Sequence, residues 1–267
     1  MSLHRALLFA IATLLARPAA AGGDSPYRLR LDIDLPLLAL GTTLWAGSSF
    51  VSNAPPPSCG APSTPACDVT QVNALDRSAI YYNPSLRGVA TGVGLVPVAF
   101  LLIPFIDAGP RHWRSWLTDF VVIAEALAWD GAVQDVVRRA VRRPRPFLYL
   151  DGAGGFERTS AEATFSFYSG HTSFAFTLAT SVAFTFQLRH PRSRWCALVW
   201  TALLSVATIE PILRVLAGDH FPTDVIVGAL TGSAFGVLLP ALHRKTGVLL
   251  GGSADGRQAL LTLSVRL

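Results

Sequence analysis

Charge is scarce in this chain of 267 residues: 15% of positions are Asp, Glu, Lys or Arg, 51% are hydrophobic, and the mean hydropathy is +0.43. So apolar a balance excludes an ordinary soluble domain and points to a membrane protein. Lysine is almost missing. Lys245 is the single one, so arginine carries nearly all of the basic excess behind the net charge of +5. The arginines fall mainly at the ends of apolar runs, and no basic-aromatic module accompanies them. That argues against nucleic acid as a partner, and for membrane topology or an anionic headgroup. Cysteine is also rare, at three residues, and none has zinc spacing. Cys59 and Cys67 bracket GAPSTPA in a Pro/Ser-rich loop. They either close a small disulfide loop facing an oxidising compartment or stand as two unrelated thiols. Cys196 lies inside an apolar run, and no internal repeat is evident.

What the chain does contain is long apolar stretches. Residues 1–21 have the form of a secretory signal or N-terminal anchor: Arg5, then ALLFAIATLLA, then Ala19-Ala20-Ala21. Crossing the hydrocarbon core takes ~20 helical residues, and five runs qualify: 89–107, 116–137, 171–189, 195–213 and 222–242. A sixth, 35–51, is shorter and carries glycine. The expected fold is therefore an all-α integral membrane bundle of five or six helices. An N-terminal segment (22–88) precedes the helical core (89–242), and a tail (243–267) follows it. YRLRLDIDL (27–35) and the tail (259–267, with LTLSVRL) alternate apolar with polar residues. Period two predicts short strands that could pair with each other. Arginines in the connections 107–115 and 188–194, with HRK at 243–245, predict a cytoplasmic side. The cysteine loop and the 138–170 loop would then face the periplasm of a bacterial inner membrane, whereas a cleaved signal together with a true span at 35–51 would invert the arrangement.

Three polar clusters fall on one side of that arrangement: RRAVRRPRP (138–146), YSGHTS (168–173) and RVLAGDHFPTD (214–224). Ionisable groups at such places are costly, so function is the default reading. Arg138, Arg145 and Arg214 offer charged forks suited to bidentate phosphate binding. Ser169 and Gly170 open a helix whose free N–H groups favour an anion. His220 and Asp224, four apart, would share a helix face. If Asp224 takes the Nδ1 proton, Nε2 of His220 is free to attack. His171 is the candidate general acid for the leaving oxygen.

The ordered set resembles the type 2 phosphatidic acid phosphatase superfamily, whose motifs read K-x6-RP, PSGH and SR-x5-H-x3-D. Here Arg138-x6-Arg145-Pro146 has arginine for lysine, Tyr168-Ser169-Gly170-His171 has tyrosine for proline, and Leu213-Arg214-x5-His220-x3-Asp224 has leucine for serine. The resemblance implies a phosphohydrolase that needs neither metal nor cofactor and passes through a phosphohistidine on His220. Its substrate would be a lipid phosphate or diphosphate whose tail stays in the bilayer. A vanadate-dependent haloperoxidase shares the motif set, and a non-catalytic anionic-lipid binder or transporter could use the same arginines.

Other polar residues read more plainly. Glu125, Asp130 and Glu210 lie within apolar runs and suit internal pairing with arginine or serine. Arg139, Arg142 and Arg143 read as headgroup or surface contacts. DGAGG (151–155) lacks the strand and helix context of a nucleotide site and reads as a flexible lip. The substitution of tyrosine at 168 would place a ring near the pocket mouth. Asp219 has no evident role.

Overall fold

The computed structural model of the chain describes residues 24–47, 57–152, 158–245, 248–255 and 258–265. The signal or anchor at 1–21, residues 48–51 of the sixth run and most of the glycine-rich lip lie outside them.

The five long apolar runs are largely helical; the second extends to Trp113–Val141 and the fourth to Ala217, whereas the fifth coincides with its helix. Helix α1 spans Leu31–Gly47, and a single turn, α2, spans Ala74–Arg77. Helix α3 (Pro84–Val93) begins with proline at its first position, where the missing N–H is no loss. It continues through a 3-10 stretch, Val96–Leu101, into α4 (Leu102–Ala108). Helix α5 (Trp113–Val141) is the longest, followed by α6 (Gly170–Arg189), α7 (Trp195–Ala217) and α8 (Pro222–Leu242). Among the described residues three stretches are long and apolar enough to cross a membrane, Pro84–Ala108, Trp195–Ala217 and Pro222–Leu242, whereas the expected runs 116–137 and 171–189 are helical but less apolar, since each buries charged or hydroxyl side chains. The chain is an integral membrane protein built on a helical bundle.

One expectation fails outright. The 27–35 segment is not a strand: α1 starts at Leu31, and only Tyr27 makes a bridge, to Arg244. Asp32 and Asp34 sit in the first turn, and Asp34 Oδ2 accepts the backbone N–H of Arg30 at 2.5 Å. A carboxylate that caps a helix start outweighs an alternation only nine residues long. The tail does form a strand, Gln258–Val265 (β2), but its antiparallel partner is Val248–Asp255 (β1) in a local hairpin.

Lipid tails are as apolar as a protein core, so helices in a membrane associate by close packing and interhelical hydrogen bonds. Helix α6 supplies both. Thr172, Ser173, Thr177, Thr180, Ser181 and Thr185 on it are buried, beside Leu178 and Val182 of a core that includes Ile123 and Leu203. Asp130 of α5 accepts from the hydroxyls of Ser173 and Thr177, and Thr177 Oγ1 also lies 3.1 Å from the Gly232 carbonyl oxygen. Gly232 lies against α6 so closely that a Cβ there would stand 2.1 Å from the Ser173 carbonyl oxygen. That approach locks α8 to α6 and so fixes the start of one against the start of the other. Helix α7 ends at Gly218, whose φ of +75° is the left-handed cap that glycine adopts without strain. A Cβ at Gly218 would also fall 1.9 Å from the Tyr81 carbonyl oxygen. The starts of α6 and α8 and the end of α7 thus meet at one end of the bundle.

Candidate active site

His220 precedes α8 rather than riding on it, so it does not share a helix face with Asp224. Its Nδ1 lies 2.8 Å from the Ser166 carbonyl oxygen and 3.9 Å from Asp224 Oδ2. A carbonyl only accepts, so Nδ1 carries the proton and Nε2 presents its lone pair. The tautomer is the expected one, but the group that fixes it differs from expectation. Asp224 instead braces the backbone that holds the ring. Its Oδ2 accepts from Ser166 Oγ at 2.5 Å and from the Phe221 N–H at 2.9 Å. The same aspartate therefore holds both the residue whose carbonyl binds His220 and the residue that follows it.

Arg143 is no surface contact. Its Nη1 donates to Asp224 Oδ1 at 2.5 Å, its Nη2 donates to Asp76 Oδ2 at 2.7 Å, and its guanidinium stacks 4.1 Å from the Phe221 ring centroid. Asp76 also accepts from Thr223 Oγ1 and N–H, at 2.7 and 3.0 Å. Burial works to raise the Asp76 carboxyl, yet Arg143, Thr223 and Asn73 hold it below the usual range. Spacing could not reveal this link, because Asp76 comes from α2, 147 positions from Thr223.

Asp219, left without a role by the sequence, is fully buried among three arginines. Its Oδ1 lies 3.1 Å from Arg87 Nε, its Oδ2 lies 3.1 Å from Arg214 Nη1, and Arg145 Nη1 is 3.7 Å from Oδ1. Arg214 is further fixed by Glu210 Oε1 at 2.7 Å, and Arg145 Nε by the Glu162 carbonyl at 2.8 Å. Burial pulls the Arg145 guanidinium below its ordinary value, and Arg87 and Arg214 add to that pull against Asp219 and Glu162. It stays charged at any physiological pH. Arg87, on α3, belongs to this cluster although no motif contains it.

Arg138 stands apart. It pairs with Asp135 on its own helix at 2.5 Å, reaches Glu162 at 3.4 Å, and stacks on Phe165. Glu162, which is exposed, also lies 3.7 Å from Arg145, so it links the rim arginine to the buried one. Arg139 shares Asp135 with Arg138, at 2.7 Å.

Ser169 caps α6 and is buried, with its Oγ 2.9 Å from Thr172 Oγ1. Gly170 follows, and a Cβ there would press 3.0 Å from the Gln134 side chain. Gln134 Nε2 in turn donates to the Tyr168 carbonyl at 3.0 Å. The Tyr168 ring is buried, not at a mouth as expected. His171 is exposed at the start of α6, within electrostatic reach of Arg214, His220, Arg145 and Asp219. The Thr172 N–H is capped by Ser169 Oγ at 3.5 Å, while those of Gly170 and His171 have no intrahelical partner and are available to an anion.

The interior carboxylates are paired, as their positions suggested. Asp130 is held by Ser173 and Thr177, and Glu210 by Arg214. Cys59 and Cys67 form a disulfide with Cα atoms 4.9 Å apart. The Cys67 N–H donates to the Leu148 carbonyl at 3.0 Å, and Cys59 and Cys67 pack with Phe147 and Leu148. The loop thereby buttresses the turn that follows Arg145 and Pro146.

The lipid A 1-phosphatase of Rhizobium etli is 30% identical over 53% of this chain and 57% of its own length. That of Rhizobium johnstonii is 29% identical over 53% of this chain and 54% of its own. The chain thus spans little more than half the length of these two relatives. Phosphatidylglycerophosphatase B of Bacillus subtilis is 27% identical over 64% of this chain and 83% of its own. The family profile described as PAP2 superfamily matches residues 119–247, a stretch that holds all three motif clusters.

Proposed function

We propose that this end of the bundle hydrolyses a lipid phosphate or diphosphate, with His220 as nucleophile. The observation that carries the reading is the His220 Nδ1 contact to the Ser166 carbonyl, at 2.8 Å, which leaves Nε2 free beside the arginine cluster. Arg145 and Arg214, with the N–H groups at the start of α6 and Ser169, bind the phosphoryl oxygens. Arg138 joins from the rim as Glu162 gives way to the arriving anion. Nε2 attacks phosphorus, the P–N bond forms and the P–O bond to the lipid breaks. His171 delivers a proton to the departing oxygen. A water then attacks the phosphohistidine, His171 takes its proton, and inorganic phosphate leaves with Nε2 restored. The positive charge that the transition state requires comes from guanidinium groups, so the step needs no metal ion.

The curated relatives act, by their names, on lipid A and on phosphatidylglycerophosphate. A tail held in the bilayer with only the headgroup in the cage suits either. The disulfide on the same end supports a site facing the periplasm, an oxidising compartment. Purified protein given a panel of lipid phosphates, without added divalent metal, should release phosphate from at least one. His220→Ala should abolish that release. Release undiminished in His220→Ala sinks His220 as nucleophile, and no release from any lipid by the wild type favours an arginine cage that only binds lipid.

A further inference from the structure

At the other end of the bundle stands a second cluster that phosphate chemistry leaves unused. Asp34 lies in the first turn of α1, Glu125 midway along α5, and His243 immediately after α8. We propose that these three side chains bind a divalent transition-metal ion of the Zn2+ type. Such an ion would tie three elements together, about 30 Å along α8 from the cage at 1.5 Å per residue.

The donor geometry fits. His243 Nε2 lies 3.2 Å from Glu125 Oε2 and 3.5 Å from Asp34 Oδ1, and the three donor atoms lie within 4.8 Å of one another. Bonds of ~2.0–2.2 Å in a tetrahedron place neighbouring donors about 3.3–3.6 Å apart. The His243 ring is fixed from behind, because Nδ1 is 2.8 Å from the Leu239 carbonyl oxygen and must donate to it. That is how metal-ligating histidines are usually oriented. Asp34 is fixed likewise: its Oδ2 takes the Arg30 N–H, which leaves Oδ1 for the ion.

The carboxylate is deeply buried. Glu125 is 1% exposed, and the contact given for its Oε2 among the described residues is His243 Nε2, at 3.2 Å. A buried carboxylate oxygen needs a cationic or hydrogen-bonding partner, and a metal ion shared with His243 would supply one. Beside the cluster lies a cavity of about 450 Å³ that Arg28, Trp129 and Phe235 also line. It has room for the water that would complete four-coordination. One nitrogen and two carboxylates suit Zn2+ or Co2+, whereas Ca2+ and Mg2+ favour six or more oxygen donors. Two carboxylates and a neutral imidazole also match the charge of a divalent ion.

The test uses tag-free full-length protein in detergent, stripped with chelator and dialysed. Titration with Zn2+ should show saturable binding of one ion per chain and a higher melting temperature. Co2+ should give the intense visible bands of a tetrahedral site. Both signals should vanish in His243→Gln and Glu125→Gln; if one variant does not fold, the other carries the test. Absence of stoichiometric binding, or equal binding in a folded variant, overturns the site. His243 is then a protonated clasp between two carboxylates. Because the readout is metal binding, failure of the phosphatase reading would leave it untouched.

Discussion

Arg143 Nη1 and Asp224 Oδ1 lie 2.5 Å apart across 81 positions of sequence, joining the loop after α5 to the first turn of α8. Asp224 is fully buried, and through Ser166 and Phe221 it holds the backbone on both sides of His220. Arg143→Ala leaves that carboxylate without its cation and lets His220, the proposed nucleophile, shift. Misplacement of a reacting group by about 1 Å costs on the order of 10²-fold in rate. The turnover number of Arg143→Ala should fall by about that factor, while Arg142→Ala, whose Nε donates to the Arg139 carbonyl, should stay near wild type. Equal activity in the two variants would remove Arg143 from the site.

Asp219 offsets part of the charge of Arg87, Arg145 and Arg214, and on the proposed reading it competes with the phosphate for them. Asp219→Asn removes the competing charge. Interactions between charges ~4 Å apart near a protein surface are worth a few kcal/mol before relaxation, so several-fold tighter binding is the expected scale. Inhibition by inorganic phosphate should strengthen several-fold in Asp219→Asn, while its melting temperature falls. Weaker phosphate inhibition would mean that Asp219 orders the arginines rather than competing for them.

Gly232 sets the distance between α8 and α6. With a Cβ 2.1 Å from the Ser173 carbonyl oxygen, Gly232→Ala forces the two helices apart. Overpacking of this kind costs about 1–3 kcal/mol, and thermal unfolding in detergent should shift down accordingly. Gly88→Ala, with open space around its Cβ, is the matched control and should not shift.

The Cys59–Cys67 bridge closes a short loop against the turn that follows Arg145 and Pro146. Chain-entropy arguments put such a link at about 2–3 kcal/mol. A melting curve recorded with reductant, or on Cys59→Ser/Cys67→Ser, should show that loss. Cys196→Ser, which touches no disulfide, should melt like the wild type.

How much of this was legible beforehand follows from the range over which each residue acts. Apolar length set the helices, because crossing a membrane leaves a helix few alternatives. The motif clusters marked Arg145, Ser169, Gly170, His171, Arg214, His220 and Asp224, and the fold brings them to one end. Spacing failed where it assumed a helix face. His220 and Asp224 are four apart, but Pro222 starts the helix between them, and Ser166 takes the Nδ1 contact instead. Arg87, Asp76 and Arg143 were invisible because their partners lie far off in sequence and single arginines and aspartates have no pattern. The misread 27–35 segment shows a capping carboxylate prevailing over a short alternation.

The central claim is that His220 Nε2 becomes phosphorylated during turnover. Lipid phosphate labelled in the phosphoryl group should be mixed with enzyme, quenched in alkaline denaturant, and the digested protein mapped by mass spectrometry. The account predicts label on His220 that decays as phosphate is released and never forms in His220→Ala. Phosphate released at the wild-type rate with no label on His220 at any time would contradict it.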